Sequence, residues 1–286
     1  MLITLKNSLL AAALLGAASA NAGELNVASY NPAEKGIFPV TSSLVSGDKE
    51  AILIDAQFRL EDGKALVEMI RASGKTLTTI YVTCGDPDFY FGLQAIAEAF
   101  PNAKVLASSK VVEHIQKTKE AKLAYWGPIL GAQAPTKIIV PTVSDETHLT
   151  LEGKAIEVRE INTHQAYLWA PSIKTAFGGV LVSNGIHLWM ADSQTKTERT
   201  AWIAALDELA SLKPKKVIPG HYLGEIPVGD KAVLFTRDYL KTYETLLAKN
   251  PDSAQLIEDL KKAYPDLPVD DGMMIGAKVN TGEMKW

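Results

Sequence analysis

The spacing of apolar residues changes period several times along the chain. From Leu25 to Tyr30 apolar and polar positions alternate, as in a half-buried strand. Val40 to Val45 runs through a Gly47-Asp48 turn into Ala51 to Asp55, which predicts a hairpin. Glu61 to Ala72 has helical periodicity and stops at Gly74. Thr79 to Thr83 and Lys104 to Ala107 read as short strands, Tyr90 to Phe100 and Val111 to Tyr125 as helices. The middle of the chain is rich in short strands, at 137–143, 147–151, 155–161, 167–170 and 176–183. Thr195 to Leu212 is an amphipathic helix, and Lys216 to Ile218 is a buried-type strand running into Pro219-Gly220-His221. Helices follow over Asp230 to Lys249 and Ser253 to Ala263, the latter capped by Asp252 or Ser253. Each half runs from strands into helices, which predicts an α/β protein built as a four-layer αββα sandwich. No repeat or linker divides residues 23–286, so a single domain with C-terminal helices is expected.

The first 22 residues fall outside that pattern. Lys6 precedes an apolar run from Leu9 to Ala18, too short to span a bilayer, and Ala18-Ser19-Ala20 and Ala20-Asn21-Ala22 are small-residue cleavage patterns. This is the signature of a secretory signal peptide, so the expectation is export, most simply to a periplasm. The 29 basic and 33 acidic residues give −4, or 28 − 33 = −5 once Lys6 is removed. An acidic chain is a poor partner for nucleic acid or an anionic membrane surface, and no second apolar stretch suggests stable membrane insertion. A small-molecule substrate or ligand is the expected partner; the sequence leaves the oligomeric state open. A single cysteine excludes an internal disulfide framework and a four-cysteine zinc module.

The candidate chemistry lies in Thr83–Leu93, TCGDPDFYFGL, between a predicted strand and a predicted helix. Such loops are where α/β folds place ligands. Cys84, Asp86 and Asp88 are sulfur and oxygen donors able to share a cation if the loop curls. Asp86 has an equal claim as a helix N-cap, because Pro87 follows at a first helical position. Cys84 is a buried small residue, a thiolate ligand, or a reactive thiol before a helix. No G-x-S-x-G elbow, phosphate-binding G-x-x-x-x-G-K-[ST] loop or H-E-x-x-H motif is present.

The segment resembles the metal-binding loop of the metallo-β-lactamase superfamily, T-H-x-H-x-D-H. Ile52-Leu53-Ile54-Asp55 resembles the family's strand ending in a supporting aspartate. Phe91-Gly92-Leu93 resembles its helix start, Gly178-Gly179 its Gly-Asp pair, and Val217 to His221 its last histidine strand. The likeness extends over roughly residues 24–225, and a smaller group of exported members with a D-P-D-F/Y-Y-F-G loop is similar. The departures are as informative. Cys84, Asp86 and Phe89 stand at three histidine positions, Asp88 is kept, and Gly179 replaces the bridging aspartate. The middle histidine falls on Ile161 or, with a three-residue shift, on His164.

The resemblance implies a hydrolase-like protein with an atypical, reduced metal site acting on an ester, amide or lactone carbonyl through metal-activated water. Its candidate ligands are Cys84, Asp86, Asp88, His164 and His221, with Asp88 also the candidate catalytic group that orients the water. Zinc, as a single ion, is the first choice for a thiolate and imidazole set, ahead of another divalent metal or none. Asp55 is expected behind the loop, and His187 behind it, at the cleft mouth or, with the stronger claim, on a surface loop. Trp126, Trp169, Trp189 and Tyr30 are candidates for an apolar rim. A different reading is a metal-free binding or scaffold protein that keeps the cleft, and a third is a thiol-dependent protein using Cys84.

Overall fold

The computed structural model describes residues 23–161, 165–249 and 251–286. The signal-like residues 1–22 and the candidate ligand His164 lie outside the described residues. The first sheet carries β1 (Asn26–Tyr30), β2 (Ser42–Ser46), β3 (Glu50–Ile54), β4 (Thr76–Tyr81), β5 (Lys104–Ala107) and β6 (Thr142–Val143), paired in that order. The expected hairpin is β2–β3, with Leu44 opposite Leu53 and Val45 opposite Ile52. From β3 onward the pairing is parallel, with crossovers through α1 (Leu60–Ser73), then α2 (Pro87–Tyr90) and α3 (Leu93–Ala99), then α4 (Ser109–Leu130).

The second sheet is built from β7 (His148–Leu151), β8 (Lys154–Glu160), β9 (Ala166–Ala170) and β10 (Thr175–Phe177). A separate parallel pair joins β11 (Ser183–Asn184) to a strand at His221–Tyr222. Helix α5 (Lys196–Ser211) leads to β12 (Lys216–Val217), which completes the second sheet beside β10, and then to β13 (His221–Tyr222). Helices α6 (Lys231–Leu247), α7 (Ser253–Ala263) and α8 (Asp271–Asn280) follow.

Strand alternation builds the layers. Ile52 and Ile54 pack with Tyr81, Leu151, Ile156, Leu168 and Phe177 between the sheets. Their neighbours Ala51 and Leu53 point the other way, onto Leu66, Ile70, Leu93 and Ile115 of the helices. In β9, Leu168 joins the inter-sheet core while Tyr167 and Trp169 pack against α5, α6 and α7 residues. Three apolar interfaces thus separate four layers, the αββα sandwich.

Several elements differ from the sequence expectation. The strand expected over 176–183 ends at Phe177, because Gly178 and Gly179 take φ of +82° and +67°. The helix expected over 90–100 is two pieces, α2 and α3, broken at Gly92. A Cβ there would lie 2.1 Å from the Ala56 carbonyl oxygen. Only Thr142–Val143 of the strand expected at 137–143 pairs. Helix α4 continues past Tyr125 to Leu130, and α8, capped by Asp270, had no counterpart in the sequence reading.

Candidate functional site

Asp55 follows β3 with a φ of +62° and is completely buried. Its carboxylate accepts hydrogen bonds from the Thr83 amide (2.8 Å), the Thr83 hydroxyl (2.7 and 2.9 Å) and the Gly179 amide (3.4 Å). Burial raises its pKa to about 7, against the lowering effect of those donors. Asp55 therefore ties the end of β4 to the turn after β10. Behind it, three backbones touch. A Cβ on Gly179 would lie 1.9 Å from the Ala166 carbonyl oxygen, and one on Gly220 would lie 1.7 Å from the Gly179 carbonyl oxygen. The Thr83 carbonyl accepts from the Ala166 amide at 2.9 Å, which fixes the start of the loop.

Beyond Thr83 the loop turns inward. Cys84 is fully buried, and its Sγ donates to Asp86 Oδ2 at 3.3 Å. Burial, then the charges of Asp86 and Asp88, push the thiol pKa well up, the opposite of an activated thiol. Asp86 sits at the N-cap position of α2 with Pro87 next, yet its side chain makes no cap hydrogen bond. Its Oδ1 instead contacts the Lys122 ammonium of α4. Burial lowers and Asp86 raises the Lys122 pKa, and the net shift is upward. Asp88 Oδ2 accepts from His221 Nε2 at 2.8 Å, in a pair that is mostly buried. Phe89 stands edge-on to the His221 ring at 5.5 Å. Among the described residues the buried Tyr90 hydroxyl has no hydrogen-bond partner; burial, then Asp86, Asp88 and Cys84, raise its pKa.

Over the loop lies an aromatic wall. Phe38 meets Trp126 and Trp189 edge-on, at 5.4 and 6.0 Å, and Trp126 meets Phe58 at 5.3 Å. Trp189 and Trp286 each donate an indole N–H to Asp192, at 2.6 and 2.8 Å.

A family model for the metallo-beta-lactamase superfamily matches residues 36–221, more than half of the chain, from the first hairpin to His221. The chain belongs to the metallo-beta-lactamase superfamily. Solved structures agree on the fold. The chain is similar to TMB-1, a structure described for substrate and inhibitor binding (16% identity, TM-score 0.52, 77% of this chain and 96% of that one). It is similar to a metallo-beta-lactamase from Pontibacter korlensis (18%, 0.53, 76% and 95%) and to the metallo-beta-lactamase DIM-1 (20%, 0.52, 77% and 99%). No curated protein matches the chain.

The residues present do not fit the two-zinc pattern of the superfamily. Among the described residues, no three His, Cys, Asp or Glu side chains form a group able to hold a metal ion. Of the candidate ligands, Cys84 meets Asp86 and Asp88 meets His221, as two separate pairs. Gly179 has no room for the bridging aspartate. Ile161 packs with the second-sheet helical core and its amide bonds the Gln165 carbonyl at 3.0 Å.

His187 is in none of the expected places, the surface loop included. It is buried against α6, with Nδ1 2.9 Å from the Tyr239 hydroxyl, and burial lowers its pKa to about 4. Of the rim candidates, Trp126 and Trp189 line the wall. Trp169 is in the core behind β9, and Tyr30 bonds Asp62 at 2.7 Å. The sequence reading missed Lys122, Phe38 and Trp286. Lys122 was detectable as a polar residue on the α4 stripe His114, Thr118, Lys122, Trp126, spaced by four. Nothing comparable marks Trp286.

Proposed function

We propose that this superfamily member binds a small organic molecule in its cleft without a two-zinc centre. The observation that carries this reading is the Gly179 turn. A carboxylate there would have to pass through the Ala166 carbonyl, so the family's bridging ligand is incompatible with this backbone. Phe89 supports it by setting a hydrocarbon ring beside His221 where the family motif has a histidine. The aromatic wall of Phe38, Trp126 and Trp189 offers apolar surface next to a polar floor, the usual composition of a ligand site. Residues 1–22 support export to a periplasm, and the net charge of −4 argues against nucleic acid as a partner. No helix among the described residues is long and apolar enough to cross a membrane.

A second reading, hydrolysis of a carbonyl substrate at a single zinc ion, is favoured by one contact. Asp88 and His221, both kept at family ligand positions, lie within 2.8 Å of each other. One experiment separates the two. Thermal unfolding is measured against a panel of esters, amides, lactones and their acids, with added zinc or with chelator, while hydrolysis products are followed. Binding without chemistry predicts a rise in Tm that chelator leaves unchanged; a ligand at a hundred times its Kd adds about 2.7 kcal/mol. Product formation that needs zinc and stops with chelator would establish the hydrolase reading instead.

A further inference from the structure

We propose that Lys122 is the resident cation of this cleft, its ammonium supplying beside Asp86 the positive charge that relatives draw from a metal ion. The inference rests on the metal-free reading above and deepens it by naming what stands in for the metal. Asp86 occupies the second histidine position of the T-H-x-H-x-D-H pattern, so its carboxylate is where a ligand is expected. Both of its oxygens meet hydrogen-bearing donors. Oδ1 contacts Lys122 Nζ, and Oδ2 accepts from Cys84 Sγ at 3.3 Å. A divalent cation on Cys84 and Asp86 would have to sit against an ammonium, and like charges at that range repel strongly.

This is not an ordinary surface pair. The Lys122 and Asp86 side chains are only 24% and 19% exposed, so the ammonium is held in the loop and not swinging in water. The helix that carries it is fixed on both sides. One turn pair earlier, the His114 ring packs against Gly85, where a Cβ would come within 2.7 Å of it. One turn later, Trp126 is wedged against Phe38 and Phe58. His114, Lys122 and Trp126 share one helix face, which lies along the Cys84–Asp88 loop. The superfamily loop is thus closed by a side chain from α4. With Phe89 and Gly179 also in place, the charge of Asp86 is balanced within the protein.

The test is a cobalt(II) titration followed by visible absorption, on wild type, Lys122→Met and Lys122→Met/Cys84→Ser, all purified without chelator. Wild type is expected to show no thiolate-to-cobalt charge-transfer band. Lys122→Met is expected to bind cobalt at least about tenfold more tightly than wild type and to show that band. The band should vanish in the double variant, and zinc should displace the cobalt. A thiolate band in wild type would overturn the metal-free reading itself. A Lys122→Met protein as inert as wild type would overturn the role of Lys122 while leaving the metal-free reading standing.

Stability supplies a readout that does not depend on metal. Lys122→Met should lower Tm by about 3 °C or more, and Lys122→Met/Asp86→Asn should recover most of that loss. Equal or greater loss in the double variant would show that Lys122 does not balance Asp86.

Discussion

The two ends of one loop have had different fates. At its start, Asp55, Thr83 and the Gly179 amide form a closed, fully buried hydrogen-bond set that holds β3, β4 and the turn after β10 together. Just beyond Thr83, the donors that the superfamily directs at metal have become Cys84, Asp86 and Phe89, paired with protein groups or packed against a ring. The difference shows that the hydrogen bonds closing the start of the loop do not depend on which residues stand at the family's ligand positions. The first end is needed to close the sandwich, because an unsatisfied buried carboxylate or amide is costly whatever the site does. The second end closes no sheet and only needs its buried charges balanced.

The comparison is broken most severely by restoring the family residue where the backbone forbids it. Gly179→Asp combines a positive φ with a clash on the Ala166 carbonyl, and should cost about 4 kcal/mol or more in chemical denaturation. A stable Gly179→Asp protein would mean that the turn relaxes freely.

Asp55→Ala strands the Thr83 and Gly179 donors and should cost about 3 kcal/mol. The same residue sets a pH dependence. Its folded pKa of about 7 lies above the ordinary carboxylate value of about 3.9, so the folded state binds the proton more tightly. The stability it contributes is complete below about pH 4 and is lost as pH rises through about 7. Tm of wild type relative to Asp55→Asn should therefore fall between pH 4.5 and 8; a parallel pair of curves would refute the raised pKa.

At the cleft end the effects shrink. Asp88→Asn removes a carboxylate from a pair that keeps some solvent contact, and should cost about 1 kcal/mol without disturbing far-ultraviolet circular dichroism. Trp286→Ala removes a half-exposed indole and should cost under about 1 kcal/mol. Its readout is fluorescence. Trp189 loses its edge-on partner and meets water, so the emission should shift to the red. No shift would place Trp189 outside the wall.

Much of the fold could be read from residue order. The β2–β3 hairpin, the glycine stop after α1 and the landmarks from Asp55 to His221 are local patterns, and each survives in the structure. The failures share a cause. The strand over 176–183 was expected because apolar residues continue through it, but two glycines at positive φ end it at Phe177. The Tyr90 helix breaks at Gly92 because the Ala56 carbonyl lies against it, a contact between segments that periodicity does not carry. The candidate site was harder for the same reason. Cys84, Asp86, Asp88 and His221 could be named from the motif. What each one meets depends on α4, which brings Lys122 onto Asp86 across thirty-six residues of chain. The distinction between a helix cap, a metal ligand and an ion-pair partner at Asp86 therefore lay outside the local sequence.

The most direct measurement is the metal content of the protein, purified without chelator or a metal-affinity column, before and after incubation with zinc. A cleft balanced by its own side chains predicts far less than one metal per chain in both samples. About one zinc per chain, lost in Cys84→Ser, would contradict that and return the protein to the metal-dependent members of its superfamily.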